Sequence, residues 1–132
     1  MPQIQIFSPF KEAIANAVHN LGTDTLKLAL TNTAPSLSNS VLSDITQIGS
    51  TGGYAPVTIG VTGSAQSGGT YTLGLDAATF TASGADFAPF RYVVLYNDTG
   101  KNLIAFFDYG VPFTLASGES FSINAGNWLT NA

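Results

Sequence analysis

Two apolar runs, Phe90 to Tyr96 and Leu103 to Tyr109, flank Asn-Asp-Thr-Gly-Lys-Asn at 97 to 102. The six central residues are turn chemistry, so a β-hairpin is the natural reading. With Asn97 facing Asn102 around a four-residue loop, Arg91 falls opposite Asp108, and opposite charges meet across the ladder. In that register Val93, Leu95, Ile104 and Phe106 share one face, and Tyr92, Val94, Tyr96, Leu103, Ala105 and Phe107 share the other. Neither face is polar. A strand pair with one wet face alternates, so this hairpin requires a cover on both sides: a second sheet, a helix or a neighbouring subunit.

The other segments fit a β-rich chain around that hairpin. Thr25 to Leu30, Tyr54 to Val61, Thr70 to Leu75, Ala78 to Ala82, Val111 to Leu115 and Ser120 to Ile123 read as short strands. Gly-Glu at 118 and 119 is the turn before the last of them. Residues 33 to 53 form the longest irregular stretch, with one helical turn expected within Val41 to Ile48, and a loop of that length is commonly functional or ordered by a partner. One helix is expected. Ser8 is a natural N-cap, Pro9 fits the first helical position, Phe10, Ile14, Ala17, Val18 and Leu21 recur at helical spacing, and Gly22 supplies the C-cap. The fold class is therefore mainly β: an antiparallel β-sandwich or jelly-roll-like barrel with one N-terminal amphipathic α-helix.

With 132 residues, no internal repeat and no shift in composition, residues 1–132 are expected to form a single β-rich domain. Residues 2 to 7, Pro-Gln-Ile-Gln-Ile-Phe, alternate polar and apolar. Residues 1–7 are thus an N-terminal interaction arm that adds to a neighbour's sheet, or else an edge strand of the same domain. No basic segment followed by an apolar run opens the chain and no long apolar run crosses it, so neither a signal peptide nor a membrane span is expected.

Charge narrows the function. Only 9% of residues are charged, against about 25% in a typical soluble domain. Over the roughly 6,600 Å² that a folded chain of this mass exposes, that is about one charge per 550 Å². Either this is an undemanding β-protein of a cell exterior, or much of its surface is covered by partners, because interfaces lose charge at their centres. A net charge of −4 with four scattered basic residues argues against nucleic acid. There is no Cys, which removes disulfides, thiolate metal sites and a cysteine nucleophile.

Catalytic motifs are missing as well. The one histidine, His19, sits in the last turn of the expected helix, where it interacts favourably with the helix dipole. Gly-Ser-Thr-Gly-Gly at 49 to 53 lacks the Lys and following helix of a phosphate loop and reads as a flexible turn. Asp76, Asp86, Asp98 and Asp108 are dispersed, without a calcium-loop pattern. No catalytic residue, metal ligand or cofactor site is assigned. The interface candidates are Ile4, Ile6 and Phe7 in the arm and Tyr92, Tyr96 and Phe107 in the hairpin.

Several motifs, taken in order, carry a resemblance. They are Val-His-Asn-Leu-Gly at 18 to 22, Asp-Thr-Leu-Lys at 24 to 27, Ala-Leu-Thr-Asn at 29 to 32, Thr-Ala-Ser-Gly at 81 to 84, Phe-Arg-Tyr-Val-Val-Leu-Tyr-Asn-Asp-Thr at 90 to 99, Asp-Tyr-Gly at 108 to 110, and Gly-Glu at 118 to 119 followed by Phe121. The chain from Phe10 to about Ile123 is similar to a family of small structural proteins of tailed bacteriophages. Gln-Ile-Gln-Ile at 3 to 6 lies outside the match. The resemblance implies a virion component made in the host cytoplasm, on the capsid surface rather than the tail. Its role would be a capsid decoration or cement protein bound to the major capsid protein or other virion proteins, without nucleic acid or membrane. A homo-oligomer, with a trimer among the options, goes with that role. The alternatives are a tail, connector or fibre component, and a carbohydrate-binding receptor module that presents its aromatic residues.

Overall fold

A computed structural model of the chain describes residues 4–7, 9–10, 24–68 and 70–131. Eight strands carry the fold: β1 (Ile4–Ile6), β2 (Leu26–Thr31), β3 (Val57–Ile59), β4 (Val61–Ser67), β5 (Thr70–Thr81), β6 (Phe90–Asn97), β7 (Asn102–Phe113) and β8 (Ser120–Asn131). They form a five-stranded sheet in the order β1-β7-β6-β2-β3 and a three-stranded sheet in the order β4-β5-β8. All pairings are antiparallel. Of the amphipathic helix expected over 8–22, Pro9 and Phe10 are helical, and the rest, with His19, lies outside the described residues.

The β6–β7 hairpin is the centre of the larger sheet, and Val93 to Asn97 and Leu103 to Phe107 are buried without interruption. The chain itself thus covers both faces, as two apolar faces require. The register departs from expectation. Asn97 faces Asn102 and Tyr96 faces Leu103, but Leu95 faces Ala105, so Ile104 is an extra residue in β7. Beyond that bulge Tyr92, not Arg91, stands opposite Asp108. Ala105 and Phe107 therefore join Val93 and Leu95 on one face, while Phe106 joins Tyr92 and Val94 on the other. The carbonyl of the bulged Ile104 accepts the N–H of Phe7 at 3.1 Å, which ties the bulge to the chain leaving β1.

Strand boundaries moved where pairing outweighed turn chemistry. Thr70 to Leu75 and Ala78 to Ala82 were expected as separate strands, but β5 runs through Asp76, whose N–H donates to the Gly60 carbonyl at 2.8 Å. At Gly60 the chain leaves the larger sheet at β3 and enters the smaller one at β4. Ala78, Phe80 and Ala82 are buried, and Ala77, Thr79 and Thr81 are exposed. Along Ala77 to Ala82 the smaller sheet thus has one wet face, and Leu73, Leu75, Ala78, Phe80 and Ile123 join the same core cluster as β2, β6 and β7.

The segment 33–53 is ordered by the chain's own bonds. Gln47 bridges Thr31, Val41 bridges Asn102, and the Leu42 N–H donates to the Lys101 carbonyl at 2.8 Å. Leu42–Asp44 forms the expected helical turn, of 3-10 type. Thr51–Gly53, the other short turn, departs from helical geometry at Gly52. Gly52 is buried at a φ of 75°, and a Cβ there would sit 2.7 Å from the Ala85 carbonyl oxygen. Only glycine fits that approach.

Tyr54 closes the core beside this turn. Its hydroxyl accepts the N–H of Leu30 at 3.0 Å and donates to Gln47 Oε1 at 2.6 Å, while its ring lies 5.8 Å from Phe87. Burial pushes its pKa up to about 12, and that of Tyr96 also to about 12. The unfolded chain ionises at about 10. The contribution of these two hydroxyls to folding stability is therefore fully present below pH 10 and is lost as pH rises towards 12, because only the unfolded state releases those protons. Tyr54→Phe is expected to lose about 1–3 kcal/mol at neutral pH, because the Leu30 N–H is left without an acceptor. It is also expected to show a shallower decline above pH 10. Urea unfolding at pH 7 and pH 11 checks both, and equal neutral stability of the two proteins would contradict the hydrogen-bonding role.

Candidate functional site

The charged side chains define the surface by where they are used. Arg91 grips Asp108 with two bonds, Nε to Oδ1 at 2.7 Å and Nη2 to Oδ2 at 2.9 Å. Lys101 pairs with Asp98, and Lys27 reaches the same carboxylate at 3.5 Å. Asp24 accepts from Asn97 Nδ2 at 2.6 Å, Asp44 from the N–H groups of Ser40 and Val41 at 2.9 and 3.2 Å, and Asp76 from Ala77 at 2.8 Å. Asp86 holds the N–H of Ser117 at 2.8 Å, and Glu119 that of Ala116 at 3.1 Å. Apart from Asp76, which lies inside β5 and holds the N–H of its own neighbour, each of these carboxylates braces a turn, a strand end or a cation.

The electrostatics follow. Asp44 is held below the ordinary carboxylate pKa by the Ser40 and Val41 amides, Asp98 by its Lys101 bond, and Asp108 by its Arg91 bond. Each is fixed in its charged form, the opposite of what a general acid at neutral pH needs. Among the described residues no three His, Cys, Asp or Glu gather where they could hold a metal ion.

The site that stands out is apolar. Tyr92 faces Asp108 and Phe90 faces Phe113, so β7 carries Tyr109, Gly110, Val111 and Pro112 opposite Arg91 alone. This wide bulge projects into solvent, with Tyr109 40% and Val111 60% exposed. Leu37 is the other exposed large hydrophobic residue among those described. Gly110 makes the turn at a φ of 103°. The root of the prong is braced by hydrogen bonds and ring contacts. Asp108 Oδ1 accepts the Gly110 N–H at 2.8 Å as well as the Arg91 bond. The Tyr109 ring meets Phe113 at 5.6 Å and Phe121 at 5.8 Å edge-on, and both of those meet Phe90, at 5.6 and 5.2 Å. This aromatic knot joins β6 and β7 of one sheet to β8 of the other. Edge-to-face pairs of this kind add stability beyond their buried area.

The residues singled out from sequence lie elsewhere. Phe7, Tyr96 and Phe107 are core residues, buried within the chain, so as placed they offer no surface to a partner. Tyr92 is half-buried beneath the Arg91 guanidinium, 5.4 Å from its ring centre. Ile4 and Ile6 sit in β1, opposite Phe107 and Ala105 of the same chain. Ile4–Ile6 forms an edge strand of the chain's own larger sheet, paired with β7. The reason is the hairpin's position: at the sheet centre its apolar faces are covered internally. The prong had a signal in the sequence, a Gly and a Pro interrupting an apolar run, which is how a bulge reads.

No protein-family model, curated protein or solved structure matches the chain.

The Arg91 and Gly110 bonds of Asp108 favour its ionised form. Its folded pKa is lowered, so its contribution is complete above the ordinary value of 3.8 and is lost as pH falls through the folded value. Asp108→Asn is expected to loosen the prong at neutral pH, seen as faster chymotryptic cleavage after Tyr109 and faster exchange of the Gly110 amide. Cleavage and exchange unchanged from the parent protein would separate Asp108 from the prong's order.

Proposed function

We propose that this chain is a structural protein of a tailed-phage virion, a capsid decoration or cement protein that attaches to the major capsid protein through uncharged surface. The two antiparallel sheets then act as a β-sandwich scaffold, and the Tyr109–Pro112 prong is the part that enters an apolar crevice of the shell. One observation carries the reading. The described charges are engaged in bonds within the chain, while Tyr109 and Val111 are held out in water on a packed aromatic base. A protein that keeps large apolar side chains exposed and braced has already met part of the ordering cost of binding. The resemblance along 10–123 supplies the virion context.

A carbohydrate-binding module is the second reading, favoured by the exposed Tyr109 ring, which is able to stack on a sugar face. Quantitative mass spectrometry of purified virions separates the places in the particle: a cement protein approaches the abundance of the major capsid protein, and a tail or fibre component stays far below it. Val111→Asp places a carboxylate where an apolar contact forms. It is expected to weaken attachment to shells by about tenfold or more while the isolated domain stays folded. Unchanged attachment would remove the prong from the interface, and binding of the parent protein on a glycan array would favour the second reading.

A further inference from the structure

Sheet edges of soluble proteins are usually guarded by lysine, proline, bulges or brevity, because an open row of backbone N–H and C=O groups recruits other strands. Here β1, β3, β4 and β8 are the edge strands, and none holds a charged residue or a proline. β1 and β3 have three residues each, and β4, with seven, carries a bulge between Val61 and Gly63. β8 is longer, with 12 residues. At about 3.4 Å per residue it offers an edge about 40 Å long.

The hydrogen-bond phase shows which groups face outward. The Ala82 N–H donates to the Glu119 carbonyl at 3.0 Å, which makes that pair a hydrogen-bonding one in the β5–β8 ladder. Pairs alternate along an antiparallel ladder, so Thr81 with Ser120, Thr79 with Ser122 and Ala77 with Asn124 are non-hydrogen-bonding pairs. The close hydroxyl contacts Thr81–Ser120 and Thr79–Ser122, both 3.0 Å, fit that close-spaced type. Consequently the backbone N–H and C=O of Ser120, Ser122 and Asn124 point away from β5. Among the described residues no strand pairs there.

We infer that β8 pairs antiparallel with β8 of a second copy of this chain about a two-fold axis, joining two three-stranded sheets into one of six strands. Antiparallel pairing of a strand with itself is self-complementary under a two-fold, so one unguarded edge suffices to make a closed dimer. Charge points to a second copy. The chain carries a net −4, yet β8 carries no charge, so the two molecules meet without opposing like charges. The dimer leaves the prong-bearing bulge of β7 outside the ladder. It goes beyond the virion reading and does not require it.

The test uses the purified full-length chain alone, by sedimentation velocity and light scattering. The parent protein is expected at the mass of two copies. Ser122→Pro removes an outward N–H and no β5 ladder bond, so it is expected to fold with a cooperative melt and to raise the dimer dissociation constant by about tenfold or more. Ser122→Ala, which loses only the hydroxyl, is expected to stay dimeric. Because the chain has no Cys, single-cysteine variants along 120–131 give a second readout: disulfide-linked dimers are expected at one position near the axis and to fall away on both sides. A monomeric or three-copy parent protein, a dimer unaffected by Ser122→Pro, or no cross-link anywhere along β8 would each overturn the inference.

Discussion

Val93 to Asn97 and Leu103 to Phe107 are buried without a gap, so β6 and β7 shed water on both faces and need neighbours above, below and along each edge. The rest of the chain supplies them. β2 takes one side of β6, β1 takes the far side of β7, and the shared core reaches Leu73, Leu75, Phe80 and Ile123 of the second sheet. Truncating a large side chain here would leave a cavity costing several kcal/mol, a sizeable part of what a domain of this length has in reserve. Local features follow from the same demand. The Tyr54 hydroxyl stands in for a missing strand at the Leu30 N–H, and Gly52 is glycine because the core approaches it too closely for a Cβ.

Covering so apolar a hairpin with so few charges leaves the exterior unusual. The carboxylates and cations that most small domains scatter over their surface are here drawn into turns: Asp44 at the 3-10 turn, Asp98 between two lysines, Asp86 and Glu119 around the 116–119 turn, Asp108 at the root of the prong. Ser and Thr remain on the wet face of the smaller sheet, in hydroxyl pairs such as Thr79 with Ser122. Recognition by such a surface relies on shape, apolar contact and backbone bonds. Among the described residues, a braced prong and a long strand edge with no strand paired to it are two features of that kind, and they sit on different strands.

Much of the fold was legible where the determinants are local. The Asn97–Asn102 turn, the apolar runs of β6 and β7 and the Ser120 to Ile123 start of β8 follow from short-range chemistry. What was not legible depends on a distant partner. The bulge at Ile104 is tied to Phe7, which bonds its carbonyl from far away in sequence, and a one-residue change in register inverted the expected faces of Phe106 and Phe107. β5 continued through Asp76 because Gly60 receives its N–H, against the local turn signal. The Arg91–Asp108 contact was foreseen and forms, but across the bulged register, with Tyr92 opposite Asp108. The interface candidates Phe7, Tyr96 and Phe107 were chosen for being large and apolar, which is the property that buries them once the sheet has five strands. Tyr109 and Val111 are equally apolar. Only the length mismatch between β6 and β7 puts them outside.

If uncharged surface makes the attachment, ionic strength is the variable that isolates it. Raising salt from about 0.1 M to about 1 M shortens the screening length from about 10 Å to about 3 Å and leaves buried apolar contacts in place. Virions sedimented in graded sodium chloride, with release of this chain followed on a gel, measure that directly. Retention through molar salt, with release by denaturant at concentrations that leave the free domain folded, is the predicted result. Release of most copies below about 0.5 M salt would show that the attachment is ionic and would contradict the account.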